Sequence, residues 1–166
     1  MTTVKKPLRV YADTSVFGGC FDDEFRNESV RFFEEVRLGQ FVVVVSNVTL
    51  DELELAPDRV RGVLADLPPQ QVEIVNTSLE LDGLRNANLE AAMKAGKAGK
   101  DFDCVEMKAE IQQRLLREVA ELGEEEAQRR RAQRLLRDPI LGGFLRTKMT
   151  NGKRPAEHTR PVSPAV

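Results

Sequence analysis

The stretch QFVVVVS at residues 40–46 decides the fold class, because four valines follow one another with no polar residue between them. A strand with one face in solvent alternates apolar and polar side chains, whereas a strand that is buried on both faces is a continuous run of β-branched residues. Strands of the second kind are typical of parallel sheets that are covered by helices. We therefore expect residues 40–46 to form an inner strand of a parallel sheet.

Strand and helix patterns alternate on either side of this stretch. LRVYA at 8–12 and QVEIV at 71–75 predict two further strands. Four other segments have apolar residues at helical spacing: 29–39, 47–55, 56–68, and a stretch that opens at Thr77 or Ser78 and reaches Ala92. Asn47 and Asp58 are the expected capping residues of two of these helices. The alternation predicts an α/β fold with a doubly wound parallel sheet.

The pattern changes after about residue 92, and no strand candidate follows. The remaining segments are a Gly/Lys-rich linker (94–104), two helical patterns (101–123 and 124–138), a short apolar stretch (138–148) and a tail rich in Pro, Thr, Lys and Ser (149–166). We expect the first of these helices to end at Gly123. Its expected buried face consists of Val105, Ala109, Leu116, Val119 and Leu122. The apolar stretch needs a surface to pack on, and the tail is predicted to be disordered.

Charge is divided between the two parts of the chain. The 166 residues are enough for one domain, or for one small domain with an appendage. Residues 1–92 have a net charge of −7 and residues 93–166 a net charge of +5. This division predicts that the two parts attract each other, or that the second part binds an acidic partner or nucleic acid.

Composition argues against several other classes of protein. No apolar stretch approaches the roughly 18 residues of a membrane span, and the N-terminus has no secretory signal pattern, so we expect a cytoplasmic protein without membrane contact. Cys20 and Cys104 are expected to be free thiols, because no Cys/His spacing indicates a zinc site. The only histidine, His158, lies in the tail, where a histidine-based catalytic pair is hard to build.

The segment LRVYADTSVF at 8–17 introduces residues that can carry chemistry. Its apolar run ends at Asp13, and two hydroxyl residues, Thr14 and Ser15, follow at once. Open parallel sheets bind ligands at the carboxyl ends of their strands, which is where Asp13 lies. Glu52, about one helical turn beyond the second strand, can reach the same edge. Two carboxylates there would bind a hard cation such as Mg²⁺ or Mn²⁺, which can orient a water and neutralise a phosphodiester.

The same residues also have a purely structural interpretation. An Asp after a strand often caps a helix, and Thr14 or Ser15 can do so equally well. Glu52 lies between Asp51 and Glu54, in a segment that a solvated helix face would also explain. Residues and spacing leave both interpretations open.

An arginine cluster in the second part of the chain has two interpretations as well. Its members are Arg129, Arg130, Arg131, Arg134 and Arg137. Glu125 and Glu126 precede Arg129 and Arg130 by four residues, which favours a solvated helix face with ion pairs. The alternative is a contact for RNA or for an acidic partner, although no interleaved aromatic residues indicate base stacking.

Two segments resemble a known family. The two segments that carry the resemblance are YADTSVFGG (11–19) and VVVVSNVTLDELELAP (42–57). In them the chain resembles the PIN-domain nucleases, in particular the VapC-like toxins of bacterial and archaeal toxin–antitoxin modules. The likeness extends over about residues 8–90. It implies a Rossmann-like three-layer fold and a divalent-metal-dependent endoribonuclease. Asp13 and Glu52 would be its metal ligands and catalytic residues, with Thr14 or Ser15 holding Asp13 or a bound water.

The chain also departs from that family. PIN domains continue with a fourth helix–strand unit that supplies further Asp residues, whereas this chain reads NANLEAAMKAGKAGKDFDCVEMK at 86–108. Asp101 and Asp103 are the candidate replacement ligands, but they lack the Asp-Ala strand–helix context. We therefore expect a truncated PIN-like fold, with one sheet edge uncovered and with activity reduced or lost.

The segment that replaces this unit has a resemblance of its own. FDCVEMKAEIQQRLLREVAEL (102–122) is similar to small helical proteins that are encoded beside such toxins, the presumed antitoxins. The likeness covers about residues 93–148 and begins at Met93. The expected organisation is a PIN-like domain (1–92), an antitoxin-like helical segment (93–148) and a disordered tail (149–166).

Two functions from different classes follow. The first is a Mg²⁺- or Mn²⁺-dependent ribonuclease of a toxin–antitoxin module, with RNA as its substrate. The second is a non-catalytic binding protein whose C-terminal helices bind and neutralise a PIN toxin, either in this chain or in an intact toxin elsewhere. A cognate toxin or antitoxin and a second copy of the chain are the expected protein partners.

Overall fold

The computed structural model describes residues 6–76 and 101–151, and these form an α/β structure with a small sheet and many helices. The described elements are β1 (Leu8–Tyr11), α1 (Thr14–Gly19), α2 (Arg26–Arg37), β2 (Phe41–Ser46), α3 (Asn47–Glu54), α4 (Asp58–Ala65), a 3₁₀ turn (Pro69–Gln71), β3 (Val72–Val75), α5 (Cys104–Leu122), α6 (Glu124–Arg137) and α7 (Leu141–Asn151). The helix expected over 77–92 and most of the expected linker lie outside the described residues.

The three strands form a parallel sheet in the order β1-β2-β3, so that β2 is the inner strand. Its valines explain this position, because Val43 and Val45 are completely buried and Val44 is nearly so. In the register of the sheet, Val43 lies between Val10 of β1 and Val72 of β3. The prediction of a parallel sheet from the valine run is confirmed.

The structure selects among the capping residues that the sequence offered. Of Asp13, Thr14 and Ser15, it is Asp13 that caps α1, and Ser46 caps α3 in place of the expected Asn47. Pro57 occupies the N-cap position of α4, and Asp58 is the first helical residue. Asp13 and Ser46 are still in extended backbone, which is the conformation from which a cap side chain can turn back to accept from the helix N–H groups.

The second part of the chain packs on the first. Met107, Ile111 and Leu115 of α5 belong to the same hydrophobic cluster as the strand valines. α5 contacts α1, α3 and α6, and α7 contacts α4, α6 and the 3₁₀ turn. The apolar stretch at 138–148 therefore finds its surface on the chain itself. α7 continues to Asn151, so residues 149–151, which were expected to be disordered, are helical, and the rest of the expected tail lies outside the described residues.

The buried face of α5 differs from the predicted one. The buried residues are Cys104, Met107, Ala109, Ile111 and Leu115, of which only Ala109 was expected, and Leu116 is exposed. α5 does end at Gly123 as predicted, and this residue has the positive φ of 80° that favours glycine. The rotation of the helix matters for the site, because it decides which polar residues of α5 face the sheet edge.

Aromatic stacking and one backbone hydrogen bond hold the start of α5 in place. The Arg59 guanidinium lies 5.0 Å from the centre of the Phe21 ring and 4.6 Å from that of Phe102. The Asp22 carboxylate accepts a hydrogen bond of 3.0 Å from the backbone N–H of Cys104. Within the described residues, no helix has the combination of length and apolar content that crossing a bilayer requires.

Two glycine substitutions test the contact between α1 and α5. A Cβ atom on Gly18 would lie 2.9 Å from Cβ of Cys104 and 2.9 Å from Cε of Met107, whereas one on Gly62 of α4 would meet nothing within 4 Å. We expect Gly18→Ala to lower the free energy of unfolding by about 1–3 kcal/mol through overpacking. Gly62→Ala should raise it by up to about 1 kcal/mol, because alanine favours the helix. Urea unfolding followed by circular dichroism measures both, and equal effects would contradict the packing described.

Candidate functional site

Asp13 joins the end of β1 to the start of α1 and uses both of its carboxylate oxygens. Oδ1 accepts hydrogen bonds from the backbone N–H of Ser15 at 3.0 Å and from the Ser15 hydroxyl at 2.6 Å, in addition to a longer one from the N–H of Val16. Oδ2 accepts from the ammonium of Lys108 on α5, at 2.6 Å. Asp13 is therefore a helix cap, as its structural interpretation required, and at the same time half of a long-range ion pair.

Glu52 lies on α3 and is almost completely buried, with 2% of its surface exposed. Its Oε2 accepts a hydrogen bond of 2.6 Å from the Thr14 hydroxyl, and its Oε1 accepts one of 2.8 Å from the side-chain amide of Gln112. Of the two interpretations of Glu52 left open, the one that places it on a solvated face is wrong. Burial of a carboxylate requires polar partners, and Thr14 and Gln112 supply them.

The structure brings Asp13 and Glu52 to one edge of the sheet. β1 and β2 are parallel neighbours, so the residues that follow them leave the sheet on the same side. Thr14, the residue after Asp13, is in direct contact with Glu52. Lys108 and Gln112, which hold the two carboxylates, are four residues apart and thus neighbours on one face of α5.

Hydrogen bonding and charge keep Asp13 ionised. Burial alone would raise the pKa of Asp13, but the hydrogen bonds from Lys108 and Ser15 and the positive charge of Lys108 outweigh it and bring the pKa below its usual value. At neutral pH the site therefore contains a carboxylate of Asp13 in contact with an ammonium.

Three hydroxyl groups form a cluster beside the carboxylates. The Tyr11 hydroxyl lies 3.1 Å from that of Ser46 and 3.2 Å from that of Thr49, and the last two lie 3.1 Å from each other. Ser46 also accepts from the backbone N–H of Thr49 as the cap of α3. This cluster was not predicted from the sequence. The Ser-x-x-Thr spacing at the end of β2 was the available indication.

The donor set partly fits a divalent cation. Mg²⁺ is commonly held through one or two carboxylates and keeps several of its waters, so Asp13 and Glu52 are sufficient in number. Among residues 6–76 and 101–151, no group of three His, Cys, Asp or Glu side chains is placed to hold a metal ion. Asp103, one of the two candidate replacement ligands, instead caps α5 by accepting from Val105 and Glu106. Asp101 is exposed.

The arginine cluster divides into an outer and an inner part. Arg129 and Arg130 pair with Glu126 on the exposed side of α6, as a solvated face would. Arg131, which is buried, contacts Asp51 of α3 and Glu118 of α5. The inner part is therefore an acidic-partner contact, and the partner is the chain's own α3 and α5.

Arg134 is the centre of this internal contact. Its guanidinium bonds Glu118 at 2.6 and 3.1 Å and Glu54 at 3.0 Å. Together with Arg130 and Arg137 it lines an open groove whose other wall includes Glu54 and Asp138. A wall of mixed charge does not favour binding of a phosphate backbone.

The net positive charge of the second part lies elsewhere. Residues 101–151 contain ten basic and ten acidic residues, so the excess comes from 93–100 and 152–166, outside the described residues. The attraction between the two parts, where it is described, includes ion pairs of Lys108, Arg131 and Arg134 with acidic residues of the first part, and one between Arg61 and the buried Asp138.

The chain matches no protein-family model, no curated protein and no solved structure. The interpretation of the site therefore depends on its own geometry and on the motifs quoted above.

The ion pairs of Glu118 give a prediction for the dependence of stability on pH. The hydrogen bond from Arg134 lowers the pKa of Glu118, and the charges of Arg134 and Arg131 add to this. A carboxylate with a lowered pKa in the folded state stabilises the protein above its unfolded pKa of about 4.3, and this contribution is lost as the pH falls through the folded pKa. We expect Glu118→Gln to cost about 1–2 kcal/mol at pH 7, since solvent screens the half-exposed Arg134.

Unfolding of wild type and Glu118→Gln in urea between pH 7 and pH 3 measures this difference. It should shrink as the pH falls from the unfolded pKa of about 4.3 through the lower pKa of Glu118 in the folded state. Glu121→Gln on the exposed side of the same helix is the matched control and should change stability little at any pH. A cost of Glu118→Gln that stays constant over the whole range would contradict the prediction.

Proposed function

We propose that the chain is a divalent-metal-dependent ribonuclease of the PIN type, a component of a toxin–antitoxin module, in a form whose activity is reduced by its own helical segment. The observation that carries this proposal is the meeting of Asp13 and Glu52 at the carboxyl edge of a parallel sheet, linked by the hydrogen bond between Thr14 and Glu52. Ligands of open α/β sheets bind at this edge.

Each residue has a distinct role in the proposed site. Asp13 and Glu52 would hold Mg²⁺ or Mn²⁺, which when bound supplies a positive charge for a phosphodiester and an oriented water. Ser15 fixes the rotamer of Asp13 through Oδ1, and Thr14 fixes that of Glu52 through Oε2. With these two oxygens occupied, the carboxylate oxygens Oδ2 of Asp13 and Oε1 of Glu52 are the ones that face α5 and that a cation would use.

Two observations support reduced activity. The first is that the described residues include no third acidic or histidine ligand. The second is that α5 occupies the outer side of both carboxylates through Lys108 and Gln112. A substrate phosphodiester approaching the pair meets this helix first.

The alternative function, a binding protein that neutralises a PIN toxin, is favoured by one specific observation. Lys108 and Gln112 are spaced by one helical turn and match a pair of carboxylates at a sheet edge. To bind another PIN protein in this way, α5 must first leave the surface on which it buries Met107, Ile111 and Leu115. Size-exclusion chromatography of the chain mixed with an intact PIN toxin at micromolar concentration tests this function. The absence of a complex would contradict it.

A cleavage assay tests the proposed enzyme. The full-length chain should cleave a fluorogenic single-stranded RNA slowly in millimolar Mn²⁺, and EDTA should abolish cleavage. Asp13→Asn keeps a residue that can cap α1 and should lower the rate by more than about tenfold, since even groups that only orient a metal ligand contribute that much. Asp23→Asn, at an exposed residue of the neighbouring turn, is the matched control. Cleavage that survives Asp13→Asn would show that the activity does not come from this site.

A further inference from the structure

The ammonium of Lys108 holds the position at Asp13 that a metal ion would need. Its Nζ atom lies 2.6 Å from Oδ2 of Asp13, and both side chains keep a path to solvent, with 25% of Lys108 and 34% of Asp13 exposed. Glu52, in contrast, is almost completely buried, and its hydrogen-bond donors among residues 6–76 and 101–151 are the neutral groups of Thr14 and Gln112.

We propose that Lys108 is a cation gate: its ammonium and a divalent cation compete for Asp13, and the gate opens when the Lys108 side chain turns into solvent while α5 stays docked. This inference rests on the function proposed above, because it concerns access to the same site. In this proposal a single side chain, that of Lys108, regulates access to the site. The helix α5 does not leave its docked position when the gate opens.

Competition follows from distance and charge. A carboxylate oxygen binds Mg²⁺ or Mn²⁺ at roughly 2.0–2.2 Å, well inside the 2.6 Å at which Lys108 contacts the same oxygen. A cation bound to Oδ2 would lie only a few ångströms from the ammonium at its present position, and like charges at such separations repel. The ammonium and the cation therefore compete for Oδ2.

The anchoring of α5 decides which part moves. Met107 and Ile111, which flank Lys108 on the helix, are buried in the central hydrophobic cluster together with Leu115. The backbone of Cys104 is tied to Asp22, and Arg59 stacks on Phe102 just before the helix begins. An ion pair with a path to solvent is weak compared with the burial of three large apolar side chains, so rotation of Lys108 costs far less than undocking of α5.

Gln112 does not oppose the opening. It carries no charge, and its amide can turn so that the carbonyl oxygen, a group that binds hard cations, faces the site. Removal of the Lys108 charge alone therefore frees the edge for a cation, with Glu52 still held by Thr14.

A titration of the chain with Mn²⁺ tests this competition. The concentration of free Mn²⁺ is measured from its electron paramagnetic resonance signal. Mn²⁺ suits the test because a hard cation avoids the two thiols. We expect Lys108→Met, which keeps the apolar stem of the side chain, to bind Mn²⁺ at least tenfold more tightly than wild type. Lys108→Gln is a second variant in case the first does not fold. Lys148→Met is the control, because Lys148 makes one hydrogen bond to Pro69 on another part of the surface.

The possible outcomes distinguish failure of the proposed gate from failure of the proposed metal site. Tighter binding by both Lys108 variants, lost again when Asp13→Asn is added, supports both the gate and the metal site. Equal affinity of wild type and the Lys108 variants, with loss in Asp13→Asn, overturns the gate and leaves the site standing. No Mn²⁺ binding by any variant overturns the proposed function, and the gate with it.

The thiol of Cys104 reports whether the helix moves. This residue is 2% exposed and packs at Gly18, so an alkylating reagent reaches it only if the start of α5 leaves α1. Mass spectrometry of the labelled peptides distinguishes it from Cys20. We expect labelling of Cys104 in wild type to be as slow with saturating Mn²⁺ as without it. Labelling that accelerates as Mn²⁺ binds would show that the helix departs, and would overturn the side-chain gate.

Discussion

The close approach of α5 to α1 at Gly18 is the constraint on which the rest of the structure depends. Because Gly18 has no side chain, Cys104 and Met107 pack directly over the first helix turn after β1. At this distance Lys108, the next residue on the helix, reaches Asp13, and Gln112, one turn further, reaches Glu52. The hydrophobic contact and the polar contacts therefore fix each other: the helix cannot rotate without breaking either the core or the site.

The helical segment completes the α/β unit, since the carboxylates at the sheet edge need the donors that it carries. A buried Glu52 with only Thr14 as a donor would leave one oxygen unsatisfied, which is costly in a protein interior. The same dependence recurs on the other side of α3, where Asp51 and Glu54 meet Arg131 and Arg134. Whatever the origin of the two parts, α3 carries acidic side chains on two faces, and α5 and α6 supply the partners of both.

The sheet could be predicted from local sequence patterns. The contacts of the site could not, because the residues that make them lie far apart in the sequence. The valine run identified β2 because burial on both faces leaves a direct mark on composition. The starts of α3 and α4 were predicted to within a residue, whereas α2 begins three residues before its predicted start and α5 three residues after it. At α1, Asp13, Thr14 and Ser15 are consecutive possible caps, and only the backbone conformation selects Asp13. Lys108 is 95 residues from Asp13, and its role depends on the rotation of α5, which periodicity predicted on the wrong face. Without that rotation, no argument from spacing could bring Lys108 and Gln112 to the sheet edge.

The contacts of α5 do not balance the negative charge at the sheet edge within the part of the chain that the structure describes. There, two carboxylates face one ammonium, and the donors to Glu52, the hydroxyl of Thr14 and the amide of Gln112, are both neutral. In the arginine cluster each carboxylate has a cationic partner: Arg131 pairs with Asp51, Arg134 pairs with Glu54, and both pair with Glu118. At Asp13 and Glu52 a single divalent cation would balance both charges at once. This difference between the two acidic clusters is the physical reason to place the proposed metal site at the sheet edge and not at the arginine cluster.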